Sequence, residues 1–179
     1  MKPKPVGRIT RGTTAPNRLR RIDRWILQYE CSRLRTIENP IVVDLGYGAT
    51  PITALELRAR LQQYVSPQVK VVGIEIDTER VEQAQDLADD SLSFIKGGFE
   101  VPTDKPVALI RALNVLRQYE EAEVIPAWEK MSKNLLVDGL IIDGTCDEIG
   151  RRAVWVGIRK TESGEIKPET LTISVHLAS

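Results

Sequence analysis

Two short stretches hold the residues best placed to do chemistry: Ile41 to Thr50, IVVDLGYGAT, and Val71 to Asp77, VVGIEID, about 30 positions further on. In the first, three apolar β-formers run into Asp44 and then the glycine pair Gly46 and Gly48. The second ends in Glu75 and Asp77. Such runs read as buried parallel strands that deliver a carboxylate and a permissive backbone to a ligand loop. A loop for pyrophosphate would want G-x-G-x-x-G, and Pro51 stands where the third glycine would fall. Asp44 would also set a carboxylate beside the phosphates, so a pyrophosphate is disfavoured.

The spacing acid, one residue, G-x-G resembles motif I of the class I S-adenosyl-L-methionine-dependent methyltransferases, although the family's usual third glycine is Thr50 here. The resemblance implies a cofactor, S-adenosyl-L-methionine, with Gly46 and Gly48 at its methionine part and Asp44 orienting the loop or reaching the sulfonium side, against the plainer reading of Asp44 as a buried turn acid satisfied locally. It also implies Glu75 as the acid accepting the ribose hydroxyls, a task suited to two carboxylate oxygens, against the readings of Glu75 as a solvated loop acid or of Asp77 in that role. Asp77 is expected to cap the next helix. The segment FIKGGFE, residues 94–100, matches the third-strand exit. There Gly98 backbone and Phe99 stand in for the acid that normally meets the adenine, although Phe99 reads equally well as core. In ALNVLRQY, residues 112–119, Asn114 and Val115 would lie nearest the ligand. The implied activity is methyl transfer to an unidentified acceptor, with RNA as a candidate. The alternative is a non-catalytic cofactor-binding or nucleic-acid-binding domain on the same fold.

After the fifth strand, GTCDEIGRR offers Asp147 or Glu148 as a general base for the acceptor, against the plainer reading of a salt-bridged surface loop. Cys31 and Cys146 lack C-x-x-C spacing, and His176 is the single histidine, so neither a metal site nor a disulfide framework is expected. A chain of 179 residues with 42% hydrophobic and 28% charged content suits one globular domain. No run approaches a membrane span or a signal core, and a cytoplasmic protein is expected. Oligomeric state is not legible.

Net charge is zero but unevenly placed. Residues 1–35 carry ten Lys and Arg against Asp23 and Glu30, a net +8, which leaves −8 on the other 144 residues. Residues 1–38 therefore read as a basic N-terminal arm and helix, and residues 39–179 as the methyltransferase-like part of one structural domain. The arm, residues 1–16, is rich in Pro and Gly. From Pro16 a helix carries Leu19, Ile22, Ile26 and Tyr29 on one face. Its arginine stripe has three readings: a solvated face, a phosphate-binding surface for nucleic acid, or a lid on which Asn17, Arg18 or Arg21 pairs with the cofactor carboxylate.

Further strands are expected at 69–76, 92–95, 107–113 and 140–143, with helices between them opening at Thr50-Pro51, at Asp77 or Thr78, and near Glu120. The last helix should reach Leu135, kinked or restarted at Pro126. Four alternations of strand and helix mark a parallel sheet covered on both faces. Residues 153–158 and 171–177 should close it as an antiparallel hairpin, because the polar link between them is too short for a crossover helix. The expectation is an α/β Rossmann-like class I methyltransferase fold, a mostly parallel seven-stranded sheet in the family's order 3-2-1-4-5-7-6.

Overall fold

The computed structural model describes residues 4–177; Lys2 of the basic count lies outside them. Its elements, in order, are α1 Arg20–Thr36, β1 Ile41–Leu45, α2 Ile52–Tyr64, β2 Lys70–Glu75, α3 Thr78–Ala84, β3 Leu92–Lys96, β4 Val107–Leu113, α4 Glu121–Ser132, β5 Leu135–Cys146, β6 Arg152–Lys160 and β7 Ile166–Val175. The seven strands form one sheet in the order β3-β2-β1-β4-β5-β6-β7. Strands β1 to β5 pair in parallel, and β6 runs antiparallel to both β5 and β7.

This arrangement has the Rossmann-like methyltransferase fold and its antiparallel ending, and it corrects the expected order of the last two strands. Only residues 147–151 separate β5 from β6. A link that short turns the chain straight back, so β6 must pair directly with β5 and β7 is left at the edge.

The apolar strands divide their side chains between two cores, as the two-residue period requires. Val42, Leu109, Leu140 and Ile142 face α1 and α2, with Ile22, Ile26, Leu57 and Leu61. Val43, Ile110 and Ile141 face α4, with Ala127 and Met131. Three local expectations are corrected. Tyr29 is exposed, and the buried stripe of α1 runs through Glu30 to Leu34. Pro126 sits inside an uninterrupted α4 that ends at Ser132. β5 starts at Leu135, and the Asp138-Gly139 pair is an irregularity within it, seen where Val107 faces Leu135 but Leu109 faces Leu140.

Candidate functional site

Strands β1, β2 and β4 all end at one cleft, the position where open α/β sheets hold ligands. Gly46 and Gly48 turn the chain after β1 with φ of 70° and 89°, a region glycine enters without steric cost. A Cβ on Gly46 would lie 2.7 Å from the Val115 side chain, so the backbone approach here is close. The loop is tied to β2 twice. Gly46 N–H donates to the Ile74 carbonyl at 2.7 Å, and Gly48 N–H to Glu75 Oε2 at 3.0 Å. The other oxygen of Glu75 accepts from Ile76 N–H at 2.9 Å and Asp77 N–H at 3.3 Å. Glu75 is 1% exposed, with Arg80 3.6 Å away. Asp77 caps α3, accepting from the Glu79 and Arg80 N–H groups.

Asp44 points to the α1–α2 side of the sheet and is fully engaged. Its oxygens accept from Arg111 Nε at 3.0 Å and Thr53 Oγ1 at 2.7 Å, and Arg111 Nη2 lies 2.9 Å away. Arg111, 0% exposed on β4, also pairs with Asp23 of α1, and Asp23 pairs in turn with Arg60 of α2. Two carboxylates meet two guanidiniums, which is what makes burial of Asp23, Asp44 and Arg111 tolerable, with Arg60 partly exposed at the edge of the group. Burial alone would weaken the Arg111 charge, but Asp23 and Asp44 outweigh it and hold the guanidinium's pKa above its ordinary value. Sequence reasoning missed Arg111, whose signal was an arginine inside the otherwise apolar run VALIRAL.

Around the glycine loop the cleft divides in two. One half is a cavity of about 400 Å³ lined by Arg11, Thr14, Arg18, Asp44, Asn114 and Arg117 among others, with Gly46 and Gly48 at its edge. Arg18 is 6% exposed, and its guanidinium donates only to main-chain carbonyls: Asp147 at 3.0 Å, Cys146 at 3.4 Å, and Thr13. Among the described residues it has no carboxylate partner. A cation buried just ahead of the N-terminus of α1 is in an unfavourable field, since that helix end is itself positive. An anion in the cavity would relieve it. Thr14 Oγ1, also on the wall, is buried without a hydrogen-bond partner. Asn114, at φ 62°, uses its side-chain oxygen to accept from Thr145 Oγ1 and Cys146 N–H, both at 3.0 Å, clamping the end of β5.

The other half lies among Glu75, Ile76, Gly98, Phe99, Val115 and Tyr119, and only about 20 Å³ of it is empty. The protein's own arm fills it, at residues 6–10. Ligand sites span roughly 300–1,000 Å³, so a nucleoside does not fit here while the arm is seated. A carboxylate-bearing group of amino-acid size does fit the larger cavity.

The structure thus brings Asp44, Gly46, Gly48, Asn114 and Arg18 to one half, and Glu75, Gly98 and Phe99 to the other. Of the lid candidates only Arg18 reaches the cavity. Arg21 donates to Ser174 Oγ at 2.8 Å, and Asn17 accepts from Arg60 at 2.8 Å. Asp147 and Glu148 line neither half. Desolvation is the largest single influence on Asp147 and acts upward, but the N–H groups of Arg151, Arg152, Gly150 and Ile149 together outweigh it and hold its carboxyl below the usual range. It closes the β5–β6 turn, and Glu148 is exposed. No group of three or more His, Cys, Asp or Glu side chains is arranged to hold a metal among the described residues, and no described helix is long and apolar enough to cross a membrane.

No protein-family model matches the sequence, and no curated protein matches it. Among solved structures, the chain is similar to a putative sarcosine dimethylglycine methyltransferase from Galdieria sulphuraria, at 16% identity and a TM-score of 0.52, covering 70% of this chain and 46% of that one. It is also similar to LepI in complex with SAM, at 14% identity and a TM-score of 0.53, covering 66% of this chain and 30% of that one. The chain spans less than half the length of either. With the sheet, the glycine loop and the acid-ended strands in place, these likenesses show that the chain has the Rossmann-like fold of the class I S-adenosyl-L-methionine-dependent methyltransferases.

Proposed function

We propose that the chain is a methyltransferase that binds S-adenosyl-L-methionine across the cleft. The observation that carries this reading is the buried Arg18 guanidinium, without a carboxylate partner among the described residues, on the wall of a cavity that opens at the Gly46–Gly48 loop. Arg18 would hold the methionine carboxylate, and Glu75 would accept the ribose hydroxyls. When bound, the cofactor supplies an electrophilic methyl group on a sulfonium. The reading requires residues 6–10 to leave the nucleoside half.

Among the described residues, Asp44 is the one carboxylate lining the larger cavity, and its oxygens are taken by Arg111 and Thr53. The walls therefore hold reactants in place and contribute no free base. Rate then comes from positioning, and the acceptor's nucleophile arrives ionised or gives its proton to water. Arg20 and Arg24 project from α1 into solvent, and nucleic acid is the acceptor class proposed for them. The filled nucleoside half favours a second reading, a protein that keeps the fold without turnover.

Calorimetric titration with S-adenosyl-L-homocysteine and with NAD tests the cofactor. Binding of the first is expected, and Arg18→Met should weaken it at least tenfold, since a charge-assisted pair contributes about 1.5–3 kcal/mol. Binding of NAD alone overturns the reading, and product binding without methylation of any acceptor supports the second.

A further inference from the structure

Residues 6–10 meet the nucleoside half as a ligand would. The Val6 carbonyl accepts from Phe99 N–H at 2.8 Å, and Val6 N–H donates to Glu100 Oε2 at 2.9 Å. Gly98 carries no side chain where a Cβ would lie 2.0 Å from that carbonyl. Gly7 sits among the Ile76 side chain, the Phe99 ring and the Tyr119 hydroxyl, so main chain lies where a flat base would stack. Arg8 N–H donates to the Tyr119 hydroxyl, and its guanidinium lies 4.6 Å from the Tyr119 ring centre and 2.9 Å from Glu123. Arg80 Nη2 donates to the Thr10 carbonyl at 3.1 Å, which brings the arm alongside the neighbour of Glu75.

The contact is specific in shape and weakly anchored. Val6 is 38% exposed and Ile9 56%, so little apolar surface holds the arm down. The Arg8–Glu123 pair is open to water, with side chains 54% and 40% exposed, and such pairs contribute little. Beyond the Arg8 contacts with Tyr119 and with Gln118, whose carbonyl accepts from the guanidinium at 3.2 Å, the remaining ties involve the arm's main chain, and a ligand could replace them. Residues 6–15 form no helix or strand of their own, so leaving the cleft breaks no element.

We infer that residues 6–10 are a displaceable occupant of the nucleoside half, an autoinhibitory strap that must leave before a nucleoside enters. The identity of that ligand rests on the function proposed above. Phe99 N–H and the walls formed by Ile76 and Phe99 serve either the strap or the ligand. Occupancy is then mutually exclusive, and apparent affinity is the intrinsic value reduced by the fraction of molecules with the strap out.

The test uses the full chain, with adenosine and S-adenosyl-L-homocysteine as probes, titrated calorimetrically against the unsubstituted protein, Arg8→Ala and Tyr119→Phe. Each variant removes one anchor from a different side of the contact. Both are expected to bind the probes about threefold to tenfold more tightly, by raising the open fraction. In the unsubstituted protein, saturation with S-adenosyl-L-homocysteine should speed trypsin cleavage after Arg8 and Arg11. Equal or weaker binding by the variants, or protection of the arm on saturation, overturns the strap and makes the arm a wall of the ligand site. Binding by neither the unsubstituted protein nor any variant overturns the cofactor reading itself, together with the gate built on it, and is distinct from binding that the variants weaken.

Discussion

On one side of the Gly46–Gly48 loop the protein fills its cleft with neutral backbone, and on the other it leaves about 400 Å³ walled by Arg11, Arg18 and Arg117. The filled half is satisfied by carbonyls and N–H groups, which another molecule can replace at little net cost. The open half is set by the buried Arg18 charge, with Arg11 and Arg117 exposed at its rim, and nothing short of an opposite charge replaces a buried one. Under the loop the same contrast recurs: Asp44 is neutralised by Arg111, whereas Glu75 relies mainly on N–H groups. Electrostatics thus fixes one half rigidly and leaves the other open to exchange.

The strongest way to break this comparison is to remove the charge beneath the open half. Arg111→Met leaves Asp23 and Asp44 buried with one guanidinium fewer, and should cost about 3–5 kcal/mol in urea unfolding. Adding Asp44→Asn should recover part of that loss. A stable single variant would mean that the four charges are not a unit.

Asp143 sharpens the comparison on the opposite face of the sheet, where a carboxylate has no cation partner among the described residues. Burial pushes its carboxyl up to about 6, against weaker opposing help from Trp128 Nε1, 2.9 Å away, and Gly144 N–H. The folded state therefore binds this proton more tightly than the unfolded chain. The stability gained is complete below about pH 4 and lost as the pH rises through about 6. Asp143→Asn should unfold about 2 kcal/mol later than the parent at pH 8 and match it near pH 4, which chemical denaturation at both values will show.

Much of this was legible in the sequence. Val107–Leu113 has the bounds its apolar run gave, and the acid-ended runs before Gly46 and after Val71 are neighbouring parallel strands. The order of β6 and β7 was misplaced because it came with the resemblance, although residues 144–152, the link between the two strands as read from the sequence, are already too few for a crossover. Asp147 and Glu148 read either as a candidate base or as a surface loop, because a strand-end carboxylate looks alike whether it faces a ligand or closes a turn; Asp147 accepts from Arg151 and Arg152 N–H groups in the β5–β6 turn. The strap left no trace, because its contacts run through the Val6 carbonyl and the Gly7 main chain, and main-chain groups are the same in every residue.

Glu75 sits where the two halves join. A carboxylate that accepts from Gly48, Ile76 and Asp77 N–H groups holds the loop as well as any ligand. Glu75→Ala should therefore lower stability by about 2 kcal/mol, because three N–H groups lose their acceptor. Glu75→Gln, which keeps one oxygen, should lose about half of that. A Glu75→Ala protein of unchanged stability would show that the loop stands without it and that the acid is there for a ligand alone.

The smallest expected effect is the most direct probe of the filled half. In Gly98→Ala the new Cβ would stand 2.0 Å from the Val6 carbonyl, too close to coexist with it, so the arm must move. What is lost is the Phe99 N–H to Val6 bond and the ties beside it, whose net contribution is about 1 kcal/mol. Global unfolding should shift by no more than that. Locally the change should be large: the Phe99 amide, now without its acceptor, should exchange with solvent faster, and trypsin should cut after Arg8 sooner, while amides of β1 and β4 keep their protection. Global destabilisation on the scale of Arg111→Met would mean that the arm is part of the core's cooperative unit. The two halves of the cleft would then be equally rigid.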